Sequence, residues 1–518
     1  MKKKLFKTRL LSFAAFCGLT LMFASCANED VAQNPNNTDN DKNLTTFTAG
    51  DPTTRTSMES DGKFFWEAGD KIWVKDDNGA WQQSNNAPTE KTASFKFKVP
   101  GNFTQSSSYK VYYPGKNGNR DKVTISANQS QLEPNTTAHF GTSGDCGMAD
   151  ASKQSNGSFA FALDHKAAYL LLLPRTANTI LHDCYLTKVE INSDNDITST
   201  YTLDPTTGEL TGTGTGKQII VSTGGSGTYA NGFPLTNSST NAATNGSYVV
   251  IKPGIHTLKI RYWVKDITTR VEGTITKTLS SATYDQNKYY NITANLNVKD
   301  YDGDHYYMWD AQEQYWKGFE WTKNLPSGTG QPTLSGQPAG NYPQSNTDPR
   351  YCNEAFTYGV DNPATHASCK DLPNVNEMTW YGEKGDPRWD KDELWSTMGH
   401  LYKGGMWFKK KSVLLAEGNY NTEKSVDGTD WRTNGHNNSW SASQTLPSAA
   451  DANKYFYLPI LGYYSAGGLY SIFSYGYYWS SSAYQGRRGE AYYLEFDNRS
   501  IRILKASRNN GYRVGGFE

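Results

Sequence analysis

Cysteine is scarce in this sequence, 6 in 518 residues, and neither a Cys-x-x-Cys nor a closely spaced His pair occurs, so zinc binding and thiol redox chemistry have no support. Excess charge is missing as well. Lys+Arg and Asp+Glu both number 51, which argues against a nucleic-acid partner. Basic blocks with interleaved aromatics are absent, and the one lysine run, Lys409 to Lys411, reads as a solvated strand or turn. After Cys26 no stretch is apolar and long enough to cross a membrane as a helix. Catalytic constellations are lacking too. His165 has no Ser, Cys or carboxylate spaced to make it a catalyst and reads as a structural residue. The paired carboxylates of glycoside hydrolysis meet in space rather than in sequence, and no motif nominates a pair. The expectation is a non-enzyme with no cofactor, no catalytic residue and no metal ligand.

What is present begins with an export signal. Lys2, Lys3, Lys4, Lys7 and Arg9 precede an apolar run from Leu10 to Phe23, which ends in Phe23-Ala24-Ser25-Cys26. Small residues leading into a cysteine resemble the lipobox of bacterial lipoproteins, which implies lipidation of Cys26 and a membrane anchor made of acyl chains. Glu29 and Asp30 resemble the acidic signal that sends such lipoproteins to the cell exterior. Residues 27–45 are a polar run of Asn, Asp, Thr and Lys that buries too little apolar area to order itself, a tether. The expected place is the outer membrane, surface-exposed, on a fimbrium.

The body behind the tether is long enough for roughly two to four domains. Its 34 Tyr, 14 Trp and 47 Gly suit an extracellular β-rich protein. Short alternating runs separated by Gly, Asn and Pro turns predict strands at Lys71–Val74, Ser94–Val99, Tyr109–Tyr113, Tyr248–Ile251 and Leu258–Val264. Ala167 to Leu173 is continuously apolar and predicts a central strand buried on both faces. Strands at such spacing point to sandwiches.

Thr54-Arg55-Thr56, then Trp66-Glu67-Ala68-Gly69-Asp70-Lys71-Ile72, then Phe161-Ala162-Leu163-Asp164-His165-Lys166-Ala167, and finally Lys288-Tyr289-Tyr290-Asn291-Ile292 resemble, in that order, the landmarks of the fimbrillin family of bacterial pilus proteins. The resemblance covers about Thr45 to Val298. It implies two tandem transthyretin-like β-sandwiches, at 46–175 and 176–299, which assemble with other fimbrillin subunits by donor-strand exchange once a protease removes the first strand. In this chain that strand is expected at Leu44 to Ala49, with Arg55 as the processing site for an arginine-specific protease. Glu133-Pro134-Asn135 matches a sugar-binding calcium motif but is read as a turn.

Past Val298 the composition shifts. Asp300, Asp302 and Asp304 surround Gly303, a spacing read as a polar turn in preference to a calcium loop because the helix flanks and distal Glu are missing. Dense aromatics follow, then Leu372-Pro373-Asn374-Val375-Asn376-Glu377-Met378 as a helix start, and the segments Tyr457–Gly462, Tyr477–Ser482, Ala491–Phe496 and Arg508–Val514. Their order resembles the major paralogous domain of Fibrobacter-type surface proteins, implying an α+β C-type-lectin-like fold over 300–518 that pairs its first and last strands.

A C-terminal strand used in this way is not free to be given to a neighbour, so the resemblance implies a subunit that takes a donor strand without giving one, a pilus tip adhesin. Its partners would be other subunits, a membrane through the lipid, and a host or bacterial surface glycan or protein, the ligand itself being unknown. Trp389, Trp395, Trp407, Trp431, Trp440, Tyr463, Tyr464 and Tyr484 are candidates for stacking on sugar rings. The same fold resemblance reaches formylglycine-generating enzymes, whose chemistry needs a reactive cysteine pair. Cys352 and Cys369 precede the helix start and read as a structural disulfide or two free thiols. With Cys146 and Cys184 they make an even number able to form two bridges, paired within each half. Two other classes stay open: a surface glycan-binding lipoprotein of a polysaccharide-uptake system and, distantly, a hydrolase.

Overall fold

Strand-forming segments alternate apolar and polar residues along most of the chain, and the result is mainly β, 41% strand against 8% helix. The structure is a computed structural model in which residues 43–50, 57–58, 64–323, 330–354 and 364–518 are described. Thr45–Glu518 form one compact unit. Cys26 and Arg55 lie outside the described residues.

The first sheet runs in the order Trp81–Gln83, Trp73–Lys75, Ser108–Tyr113, Gly147–Lys153, Phe159–Phe161, Leu44–Ala49, Phe95–Pro100, with Asp164–His165 paired to Gly147–Lys153. Asn85 N–H donates to the Lys98 carbonyl at 2.8 Å, and the Asn86 side chain bonds the backbone of Lys96 and Lys98, so the two ends of the sheet are stitched near each other. Inside sit Phe47, Trp66, Phe97, Phe103, Val111, Tyr113, Phe159 and Phe161. The Trp66-to-Asp70 landmark serves this core. Trp66 meets Phe97, Tyr113 and Phe161 edge-on, and the buried Asp70 carboxylate accepts the Tyr113 hydroxyl at 3.0 Å.

A second core gathers side chains from 112 to 296. One of its sheets orders Glu272–Thr278, Leu258–Asp266, Cys184–Ser193, Gln218–Thr223, Asn128–Gln131, and another places Ala168–Arg175 between Ser247–Ile251 and Tyr289–Asn295. Leu258–Asp266 shows why a strand forms: Leu258, Ile260, Tyr262 and Val264 are fully buried and alternate with Lys259, Arg261, Trp263 and Lys265. Ala168 to Leu172 are all buried, as a strand in the middle of a covered sheet requires. Strands on either side of residue 175 share sheets: Lys122–Ile125 pairs with Ser199–Leu203, and Asn128–Gln131 runs parallel to Gln218–Thr223.

From 299 onward one sheet orders Lys299–Asp300, Arg388–Thr397, His400–Lys409, Tyr455–Pro459. Another orders Tyr306–Tyr307, Tyr512–Arg513, Gly476–Ala483, Glu490–Phe496, Ser500–Ser507, Asn438–Ser441. The Val375–Glu383 helix starts with a capping box: Asn374 Oδ1 accepts the Glu377 N–H and Glu377 Oε2 accepts the Asn374 N–H. The lysine run is not a strand or turn throughout. Lys409 ends a strand and Lys411 opens the Lys411–Ala416 helix, and Glu417, Glu518 and Glu377 each hold one of the three ammonium groups.

Leu394 and Leu401 of this last module reach into the second core. At that seam Asp266 accepts the Leu401 N–H at 2.9 Å and lies 3.5 Å from His400 Nδ1, while Thr269 Oγ1 donates to the Leu401 carbonyl.

Candidate functional site

The Leu44–Ala49 strand stands out because it is interior to its sheet although it is the first in sequence among the described strands. It runs parallel to Phe159–Phe161, with Phe47 opposite Phe159, Thr48 opposite Ala160 and Ala49 opposite Phe161, and it is hydrogen-bonded to Phe95–Pro100 on its other side. Two of its side chains are buried. Phe47 is 0% exposed, stacked on Phe159 and edge-on to Phe103 at 5.2 Å, and Ala49 is 1% exposed. Burying one phenylalanine contributes about 2 to 3 kcal/mol. Taking the strand away exposes two rows of backbone N–H and C=O groups and opens a slot shaped for a large ring and, two residues on, a small side chain.

His165 lies at 1% exposure with Nδ1 2.9 Å from Asp145 Oδ1, and the Tyr169 hydroxyl donates to the same oxygen at 2.5 Å. The carboxylate missing from the local sequence is thus supplied from 20 residues upstream. The group is sealed in the core. Glu133-Pro134-Asn135 forms a turn in which Asn135 takes φ 55° and accepts the Tyr248 hydroxyl.

The three aspartates do not converge. Asp300 accepts the Ser396 hydroxyl at 2.7 Å, whereas Asp302, Asp304 and His305 place ligand-type atoms within 4.8 Å of one another. His305 Nδ1 is 2.6 Å from both carboxylates and Arg513 reaches Asp302 at 3.2 Å, so the cluster is already knitted by hydrogen bonds and an ion pair. The hydrogen bond that His305 donates to Asp302 raises the imidazole pKa despite burial.

All four body cysteines are free thiols, the second of the two alternatives for Cys352 and Cys369, and neither of the possible bridges forms. Each is buried. Burial pushes Cys352 and Cys369 up to about 12, the opposite of what a reactive pair needs, and Cys369 Sγ accepts the Asp310 N–H at 3.3 Å.

The aromatic candidates divide. Trp395, Trp431 and Tyr464 are core residues at 1% exposure or less, correcting their reading as platforms, and Trp389, Trp407, Trp440, Tyr463 and Tyr484 are half-buried. Trp395 stacks on Tyr402, and Tyr464 sits amid Tyr306, Tyr315 and Trp316. Exposed rings do exist where sequence reasoning named none: Tyr470 at 39% and Phe473 at 49%. Their spacing in a Gly/Ser/Tyr turn was the available signal. The last strand is paired on both sides, Arg513 facing Tyr306 and Tyr478. Phe517 packs on Tyr381 and Tyr478, and Lys411 N–H donates to the Glu518 carbonyl. Among the described residues no helix is long and apolar enough to cross a membrane.

No family model matches this chain, and no curated protein matches it. Among solved structures, a candidate cell adhesion protein from Bacteroides ovatus is similar at 14% identity, covering 49% of this chain and 91% of its own, with a TM-score of 0.31. A candidate cell adhesion protein from Bacteroides fragilis gives 12% identity, 49% and 93% coverage and a TM-score of 0.28. A fimbrial protein from Bacteroides ovatus spans more, 91% of this chain and 98% of its own, at 12% identity and a TM-score of 0.27. Likenesses of that size assign no role to this chain.

Proposed function

We propose that this chain is a surface-anchored pilus subunit, lipidated at Cys26 and placed at a pilus tip, whose Leu44–Ala49 strand is a removable plug that a donor strand from another subunit replaces. The single observation that carries the reading is the plug itself: an N-terminal strand inserted between Phe159–Phe161 and Phe95–Pro100, fastened to the core by Phe47 and Ala49. Loss of an interior strand leaves unpaired backbone groups on two neighbouring strands, the template a replacement strand needs. In this reading the first two cores are the tandem transthyretin-like sandwiches and 300–518 is the C-type-lectin-like adhesive module.

The tip position draws support from the far end of the sheet order. Tyr512–Arg513 is held between Tyr306–Tyr307 and Gly476–Ala483, so that strand is committed within its own module. The reading is non-catalytic. Arg55 is the proposed cleavage point, and the test is to expose mature protein to an arginine-specific protease and weigh the product. Loss of the segment up to Arg55, with the remainder intact and folded, supports the reading. A protein cut elsewhere first, or not at all, counts against it.

A further inference from the structure

Along one edge of the C-terminal module tyrosines succeed one another. Tyr470 contacts Tyr463 at 5.8 Å between ring centroids, Tyr463 contacts Tyr477 at 4.7 Å, and Tyr477 contacts Tyr475 at 5.9 Å. The planes are splayed by 38° to 56°, so the rings present faces and edges in place of one closed stack. Two short strands put them there. Tyr463–Ser465 and Gly468–Tyr470 form a hairpin whose turn has Ala466 and Gly467 at φ 45° and 79°, and Ser471 at φ 59° swings the chain onward to Phe473 and Tyr475. A deep layer of Trp479, Tyr493 and Tyr512 supports the row from beneath: Tyr512 lies 5.4 Å from Tyr463 and 5.1 Å from Tyr477, and Trp479 stacks on Tyr512 at 4.3 Å.

Charged groups run alongside. Tyr477, Glu495 and Arg502 face one another across three neighbouring strands. Arg502 holds Glu495 at 2.6 Å and Asp497 at 2.8 Å, and its guanidinium lies 5.7 Å from the Tyr475 ring. Tyr493 donates to Glu495. Among the described residues the hydroxyls of Tyr463, Tyr470 and Tyr475 take part in no hydrogen bond with the protein. The surface thus offers flat apolar area, spare hydroxyls and a fixed ion-pair network within one strip, with tyrosine in place of leucine or isoleucine.

We infer that this strip, centred on Tyr463, Tyr470 and Tyr475 with Glu495 and Arg502 at its side, binds a neutral pyranose chain. A pyranose has an apolar C–H face and a rim of hydroxyls that both donate and accept. Tyrosine rings take the face, and phenol, carboxylate and guanidinium take the rim. An aliphatic protein epitope would leave three phenols and an ion network facing carbon. The inference deepens the adhesin reading and rests on it only for biological purpose; the binding itself stands or falls alone.

The test is a titration of the full mature protein with maltohexaose, cellohexaose and mannohexaose, followed by calorimetry. Binding to at least one is expected, weakened about tenfold or more by Tyr470→Ala and by Tyr475→Ala and unchanged by Leu415→Ala, an exposed side chain elsewhere. Tyr463→Phe keeps the ring and is expected to cost less than Tyr463→Ala while still weakening binding. Tyr470→Ala, at an exposed ring, should melt with the parent, and Tyr475→Phe, which keeps the half-buried ring packed on Tyr477, separates lost hydroxyl contacts from lost packing. No binding to any of the three, or binding indifferent to Tyr470→Ala and Tyr475→Ala, overturns the inference. Self-association abolished by those variants, with no sugar bound, overturns it in favour of a protein contact. Strand loss at Arg55 is measured separately, so failure here leaves the pilus reading untouched.

Discussion

The ring of Phe47 lies stacked on that of Phe159, centroids 5.0 Å apart and planes 14° from parallel, in the same register in which their backbones pair. This contact is the main apolar fastening of the first strand, and it sets the strength of the plug. Phe47→Ala is expected to destabilise the first core by about 3 to 5 kcal/mol, as for other buried Phe→Ala changes. Denaturant unfolding measures the loss, and accelerated release of the strand after cleavage accompanies it. A loss below about 1 kcal/mol would mean that the slot is not shaped around this ring.

His139 is expected to make the second core acid-sensitive. It is 9% exposed, its Nε2 bonds the Tyr248 carbonyl at 3.1 Å, and its Nδ1 has no partner, so burial pushes its pKa down from 6.5 to about 4. The unfolded chain takes up the proton first. Stability is therefore full above about pH 6.5, falls as the pH drops towards 4, and is lower by about 3 kcal/mol once both states are protonated. Melting curves of the parent and of His139→Gln between pH 7 and 4 check this: the slope belonging to this residue should vanish in the variant.

Asp266 is expected to lock the second core to the last module. Burial raises its carboxyl, but His400 and the amides of Leu401, Thr269 and Thr268 outweigh burial and lower its pKa. A lowered carboxyl contributes stability above its ordinary value near 3.8 and loses it as the pH falls through the lower one. Asp266→Asn is predicted to cost about 1 to 3 kcal/mol and to speed hydrogen exchange at the Leu401 amide. Unchanged exchange there would show that the seam does not depend on the Asp266 carboxylate.

Thiol counting tests the cysteine assignment. Cys146, Cys184, Cys352 and Cys369 are expected to resist an alkylating reagent in the folded protein and to react in denaturant without any reductant. Two or four missing thiols under those conditions would bring back the bridges.

Much of this was legible in local pattern. The alternation in Leu258–Val264 and the apolar block ending at Leu173 appear as strands, because side-chain periodicity and turn residues act over a few positions, whereas the Leu44–Ala49 strand was expected from the family resemblance alone. The Leu372-Pro373-Asn374 helix start folds as a capped helix, since Asn374 and Glu377 have the spacing a capping box needs. Long-range relations were hidden. Nothing near Lys122–Ile125 announces a partner at Ser199–Leu203, and nothing local separates buried Trp395 from exposed Tyr470. His165 looked solitary because Asp145 joins it only through the fold.

The central claim is that the first strand can be exchanged, and the most direct measurement is a native mass spectrum. After protease treatment the protein is mixed with excess synthetic Leu-Thr-Thr-Phe-Thr-Ala, a copy of residues 44–49 carrying a mass tag, and with the same peptide bearing Asp in place of Phe. The account predicts that the tagged copy displaces the native strand and stays bound, while the Asp peptide does not. A cleaved protein that captures neither peptide, or both alike, would contradict it.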